Sequence, residues 1–219
     1  AKPASAATAA FQKQFSSRLP NDDGHDQDFA QRGFIGTPSD PLIRGADGHV
    51  VWNIDKFKWV KGDAPETVNP SLWRQIKLLK LHGLFKVTDG FWQVRGLGAS
   101  NMLVVNGKTG WIMVDPLWST ETAAVAMQLI EQHLGKRPVS AVIYGHSHPD
   151  HYGGVRSVIP PGTMPPIFAP EHMLQEIISE AVIAGNTSSR RTTLMAGTSL
   201  PAGPRGNVGV GIIPGVIDR

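Results

Sequence analysis

The 219-residue sequence contains no cysteine. Disulfides and thiolate ligands are therefore excluded, and any metal ion must be held by His, Asp or Glu. No apolar run reaches the roughly 18 residues that a membrane-spanning helix needs. There is no long block of Lys and Arg either. The formal net charge is only +3, which gives no footing for nucleic acid or an anionic membrane surface. Internal repeats are absent. What is present is a hydrophobic content of 41%, enough for a proper core in one large domain or two small ones.

One stretch concentrates the chemistry: Tyr144-Gly145-His146-Ser147-His148-Pro149-Asp150-His151-Tyr152-Gly153-Gly154. Three imidazoles and a carboxylate fall within residues 146–151, directly after the β-branched run 139–144. That run reads as a buried strand, so the cluster sits in the turn leaving its C-terminal end, where open α/β sheets place their sites. Neutral imidazole nitrogen and carboxylate oxygen both suit zinc. His146 and His148 are expected to converge on one ion, with Asp150 and His151 serving a second. Gly153 and Gly154 are read as leaving room for a metal-bound water and for the turn into the next helix.

A strand followed by H-x-H-x-D-H resembles the metallo-β-lactamase superfamily, and the flanking segments narrow the resemblance to class III, zinc-dependent alkylsulfatases. Those segments are Arg32-Gly33-Phe34-Ile35, residues 62–74, Leu81-His82-Gly83-Leu84-Phe85, Gly185-Asn186 and Ser189-Arg190-Arg191. The resemblance implies the α/β class and an αββα sandwich, of which this chain supplies roughly the first half. Residues 1–65 are expected as a loop-rich N-terminal extension, and 66–219 as the first part of the catalytic domain. The resemblance also implies two Zn2+ ions per site, a homodimer, and further ligands (glutamates and a histidine) far downstream. The opening Ala-Lys-Pro-Ala-Ser without Met fits a mature terminus after signal-peptide removal, favouring a periplasmic or secreted location, and equally fits a trimmed chain.

Along the chain, residues 4–19 suit a short amphipathic helix, and 20–50 have loop and turn composition. Asn69-Pro70 starts a helix that His82-Gly83 ends. Two hairpins follow, around Asp89-Gly90 and Asn106-Gly107, the second closing on Asp115. Asp115 either hydrogen-bonds the metal turn or a ligand's second nitrogen, or caps the next helix. That helix spans 120–134 and leads to the strand before the motif. Ile167 to Ala169 fits a strand, and Pro170 to Ala184 a helix stopped by Gly185. Asn186, Arg190 and Arg191 offer donors that match a sulfate ester, or else serve capping and surface pairing.

Two zinc ions need roughly six to eight ligand positions, and the motif supplies four. After His151 the sequence offers only His172 among histidines and Glu171, Glu176, Glu180 and Asp218 among acids. The expectation is that the remainder of the enzyme lends the rest. The alternative is a single-ion site completed by Glu171 or His172. The glycine-rich, apolar end at 206–219 points the same way as the ligand shortage. The reaction expected is hydrolysis of an alkyl sulfate to alcohol and inorganic sulfate, with zinc acidifying water and Asp150 both ligating and orienting that water. The rivals are another hydrolase of the superfamily (phosphodiesterase, thioesterase or lactamase) and an inactive metal-binding fragment.

Overall fold

The computed structural model describes residues 2–20 and 23–209; the end of the chain from 210, including Asp218, lies outside the described residues. Its elements are α1 (Ala6–Ser16), α2 (His25–Gln31), β1 (Phe34–Gly36), β2 (Leu42–Arg44), β3 (Val50–Asn53), α3 (Pro70–Leu79), β4 (Gly83–Thr88), β5 (Phe91–Arg95), β6 (Met102–Asn106), β7 (Trp111–Val114), α4 (Thr120–Leu134), β8 (Val139–Ile143), α5 (Val155–Val158), β9 (Ile167–Phe168), α6 (Met173–Ile177) and α7 (Gly185–Ala196). A 3₁₀ turn covers Pro149–His151, and a π-helical stretch Ile178–Ile183 joins α6 to α7.

Seven strands form one sheet in the order β1-β4-β5-β6-β7-β8-β9, and β2-β3 form a separate hairpin. Pairing is antiparallel up to β7, then parallel through β8 and β9. This is the mixed α/β architecture expected. The change to parallel pairing follows from α4, which carries the chain from β7 back to the start of β8. Ser119 begins α4 with a reciprocal capping box: its hydroxyl accepts from Thr122 N–H at 3.2 Å, and its own N–H reaches the Thr122 hydroxyl. Replacing Ser119 with alanine is expected to cost about 1 kcal/mol, read as a lower urea midpoint with unchanged slope.

Strand alternation gives the sheet two unlike faces. Val94, Met102, Val104, Trp111, Met113 and Val142 point to one side and are buried under α4 (Ala123, Ala126, Leu129, Ile130) and the β2-β3 hairpin (Ile43, Trp52). The other side carries two cross-strand rows, Phe91-Val105-Ile112 and Leu103-Val114-Ile143. Phe91 and Ile143 there are 40% and 37% exposed, so the described residues leave this apolar side half open to water.

Several local expectations need correction. The segment 20–50 is not all loop, since it holds α2, β1, β2 and the start of β3. The helix begun by Asn69 ends at Leu79, before His82-Gly83. Gly83 instead opens β4 with φ 125°, where a Cβ would collide with the Gly36 carbonyl of the paired strand. His82 lies in that crossing, with Nδ1 2.7 Å from the Thr37 hydroxyl. The helix expected over 170–184 starts late because His172 is left-handed (φ 63°). Gly185 does not stop it either: Ala184 stays right-handed, and α7 begins at the glycine.

Candidate metal centre

The motif turn is built by β7 and β8, which deliver Asp115 and His146 from adjacent C-terminal ends. Beyond β7 the backbone of Asp115 (φ 55°) and Leu117 (φ 62°) is left-handed although neither is glycine. Such residues persist where their surroundings hold them, often at functional positions. Here the hold is visible. Asp115 N–H donates to Ile143 O at 3.0 Å, and Leu117 O accepts from Gly154 N–H at 3.0 Å.

Asp115 ties the two ends of the turn together. Its Oδ1 accepts from Gly145 N–H at 2.6 Å, and its Oδ2 lies 2.9 Å from His151 Nδ1. That Nδ1 is buried and makes no hydrogen bond of good geometry, although the Asp115 oxygen faces it. Ser119, not Asp115, caps α4. The middle of the turn is anchored by Ser100, a buried hydroxyl that donates to Asp150 O. Nothing in the local sequence around Ser100 signals this role, because the contact spans 50 residues.

The three imidazoles pack against one another. The His146 ring centroid lies 3.9 Å from His151 and 4.5 Å from His148. The expected division, His146 with His148 and Asp150 with His151, is therefore blurred, since His146 stands between the other two. Partial burial pushes the His146 pKa down, and the neighbouring imidazoles add to the effect. The ring thus keeps the neutral form that a metal requires. His151 Nε2 is 3.3 Å from Asp150 Oδ2. Two donors each about 2.0–2.1 Å from one tetrahedral zinc are about 3.3 Å apart, so this pair has the separation of neighbouring ligands. His148 turns outward, its Nε2 3.1 and 3.3 Å from the two Glu180 oxygens. Among the described residues no three His, Asp or Glu side chains are already gathered around one point. The donor set nevertheless fits a divalent ion in type, and the His151–Asp150 pair fits it in spacing.

Gly153 and Gly154 do not make space for water. A Cβ on Gly154 would strike the Pro116 carbonyl and lie 2.6 Å from Ala123 Cβ, and one on Gly153 would strike the Trp118 carbonyl. These glycines let the motif pack directly on residues 116–119. His172 does not complete a site: it is exposed, beside Glu171 at 3.6 Å. Asn186, Arg190 and Arg191 lie on α7, which buries no side chain. Among the described residues no hydrogen bond or ion pair links these three to the motif. Glu180 is the acid that sequence reading passed over. Its only signal was that it is one of few acids after the motif.

Residues 95–181 match the family model described as the Metallo-beta-lactamase superfamily. The chain is 45% identical to a linear primary-alkylsulfatase of a Pseudomonas species, over 97% of this chain and 32% of that protein. It is 41% identical to the alkyl/aryl-sulfatase BDS1 of Saccharomyces cerevisiae, over 91% of this chain and 32% of that one. The solved structure of the stereoselective inverting sec-alkylsulfatase Pisa1 from a Pseudomonas species superposes with a TM-score of 0.90 at 38% identity, covering 99% of this chain and 35% of that one. The chain spans about a third of the length of the curated relatives it matches.

Proposed function

We propose that this chain, which carries part of a metallo-β-lactamase-type domain, is the metal-binding portion of a zinc-dependent alkylsulfatase that hydrolyses alkyl sulfate esters to alcohol and inorganic sulfate. The observation that carries the reading is the packed trio His146, His148 and His151 with Asp150 at a strand end, in a chain 38–45% identical to alkylsulfatases over nearly its whole length.

His146, His148, Asp150 and His151 would hold two zinc ions, with further donors from polypeptide outside these 219 residues. When bound, zinc supplies Lewis acidity, bringing the pKa of water towards 7 and neutralising charge on sulfate oxygens. The chain's own residues contribute placement. Asp115 holds Gly145 and faces His151, so the turn is set before any ion arrives. Asp150, whose backbone is fixed by Ser100, directs its carboxylate into the cluster and would accept a hydrogen bond from the attacking water. Asn186, Arg190 and Arg191 belong to the reading as donors for the sulfate group, supported by their chemistry alone. Pairing of two copies is also part of it, supported by the family resemblance, and sedimentation velocity reads it.

The test is sulfate release from dodecyl, secondary alkyl and p-nitrophenyl sulfates by the protein that carries this chain. Activity is expected to vanish with a chelator and return with zinc. Turnover of a β-lactam, thioester or phosphodiester with sulfate esters untouched would move the assignment to another hydrolase of the superfamily. The shortage of donors favours one further reading of the 219 residues taken alone: zinc uptake without turnover, checked by metal analysis of the isolated chain.

A further inference from the structure

We infer that Glu180 is a positioning residue that fixes the tautomer of His148, so that the ring presents Nδ1 and not Nε2 to the metal. The inference rests on the metal reading above. Both Glu180 oxygens lie close to one ring nitrogen, 3.1 and 3.3 Å from His148 Nε2. A carboxylate accepts only, so an unprotonated nitrogen there would set lone pair against lone pair. Nε2 must carry the proton and donate it. In the neutral ring the lone pair is then on Nδ1, the one atom left to bind an ion.

His151 shows the opposite arrangement. Its Nδ1 faces Asp115 and its Nε2 lies beside Asp150. Each of these two imidazoles thus has one nitrogen beside a carboxylate from outside the motif, Glu180 for His148 and Asp115 for His151, as metal-binding histidines commonly do. Ligands of opposite tautomer can approach neighbouring points from a turn too tight to offer the same nitrogen twice.

With side chains 52% and 51% exposed, the His148–Glu180 pair adds little to stability, so its effect would fall on the ring's tautomer and not on the fold. Glu180 also lies inside the π-helical stretch Ile178–Ile183, a rare widening of the helix that recurs at functional positions. Around it Ala181, Val182 and Ile183 are exposed, while Glu180 is the residue that reaches back across 32 positions to the motif.

The experiment is long-range 1H–15N correlation on the 219-residue chain labelled at histidine, with and without zinc, together with calorimetric zinc titration. Without zinc, His148 is expected as the Nε2–H tautomer. On adding zinc, its Nδ1 resonance should shift while Nε2 keeps its proton. Glu180→Ala should mix the tautomers and weaken zinc binding by about 10- to 100-fold. Glu180→Gln, which keeps an acceptor oxygen, should recover most of both, and circular dichroism checks that each variant is folded. An Nδ1–H tautomer without zinc, or zinc on Nε2 with Glu180 as a direct ligand, overturns the inference. So does a Glu180→Ala variant with unchanged tautomer and affinity. The tautomer is read before zinc is added, so it decides the assignment of Glu180 whether or not zinc binds; the metal reading is decided separately, by zinc uptake of the protein that carries this chain and the donors outside it.

Discussion

Asp150→Asn is expected to lower turnover of alkyl sulfates by about 10²- to 10⁴-fold, the range for losing a positioned proton acceptor, while leaving the fold intact. Asparagine has the same shape, and the Ser100 hydroxyl meets the backbone carbonyl of residue 150, which the substitution preserves. What disappears is the negative charge 3.3 Å from His151 Nε2. A neutral amide is a poorer zinc ligand and cannot take a proton from water. Unfolding free energy should therefore stay within about 0.5 kcal/mol of the parent, with zinc content and sulfate release both falling. Full turnover at full zinc loading would remove Asp150 from the reaction.

Gly154→Ala should act in the opposite way, through the fold and only then through the metal. The backbone at Gly154 is ordinary (φ −86°), so alanine meets no conformational penalty. The obstacle is space. Besides the Pro116 carbonyl and Ala123 Cβ, the new methyl would lie 2.7 Å from Ser119 O. Two of these neighbours are backbone and the third is a buried side chain of α4, so none can swing aside. Overpacking of this kind costs about 3 kcal/mol, and relief requires the motif to lift off residues 116–119. Zinc affinity should fall with stability. Gly185→Ala supplies the contrast, because its Cβ would meet only Glu180 O, at 3.9 Å, at the start of a helix. It should leave stability unchanged or raise it by about 0.5 kcal/mol. Equal urea midpoints for the two variants would refute the packing argument.

These two glycines also mark how far the sequence could be read. Their importance was visible, but its cause was a carbonyl more than thirty residues away in the chain, beyond any local pattern. Local chemistry was legible where it was self-contained. The helix read over 120–134 is α4, Asp89-Gly90 turns one hairpin, and the apolar run before His146 is β8. Strands β1, β2 and β3 were hidden because they are three or four residues long and broken by proline and glycine. They are ordered by their partners: β1 pairs with β4, and Trp52 donates to Gly96 O at 2.9 Å. The Glu180–His148 pair was illegible for the same reason.

The two apolar rows on the open side of the sheet have a practical bearing on any assay. Surfactants adsorb to such a surface through their tails, whatever their head groups do. Dodecyl sulfate mixed with the isolated 219-residue chain would coat Phe91, Ile143 and their neighbours, giving saturable uptake unrelated to zinc. Short or aromatic sulfates, which lack that tail, are the cleaner reporters of what happens at His146.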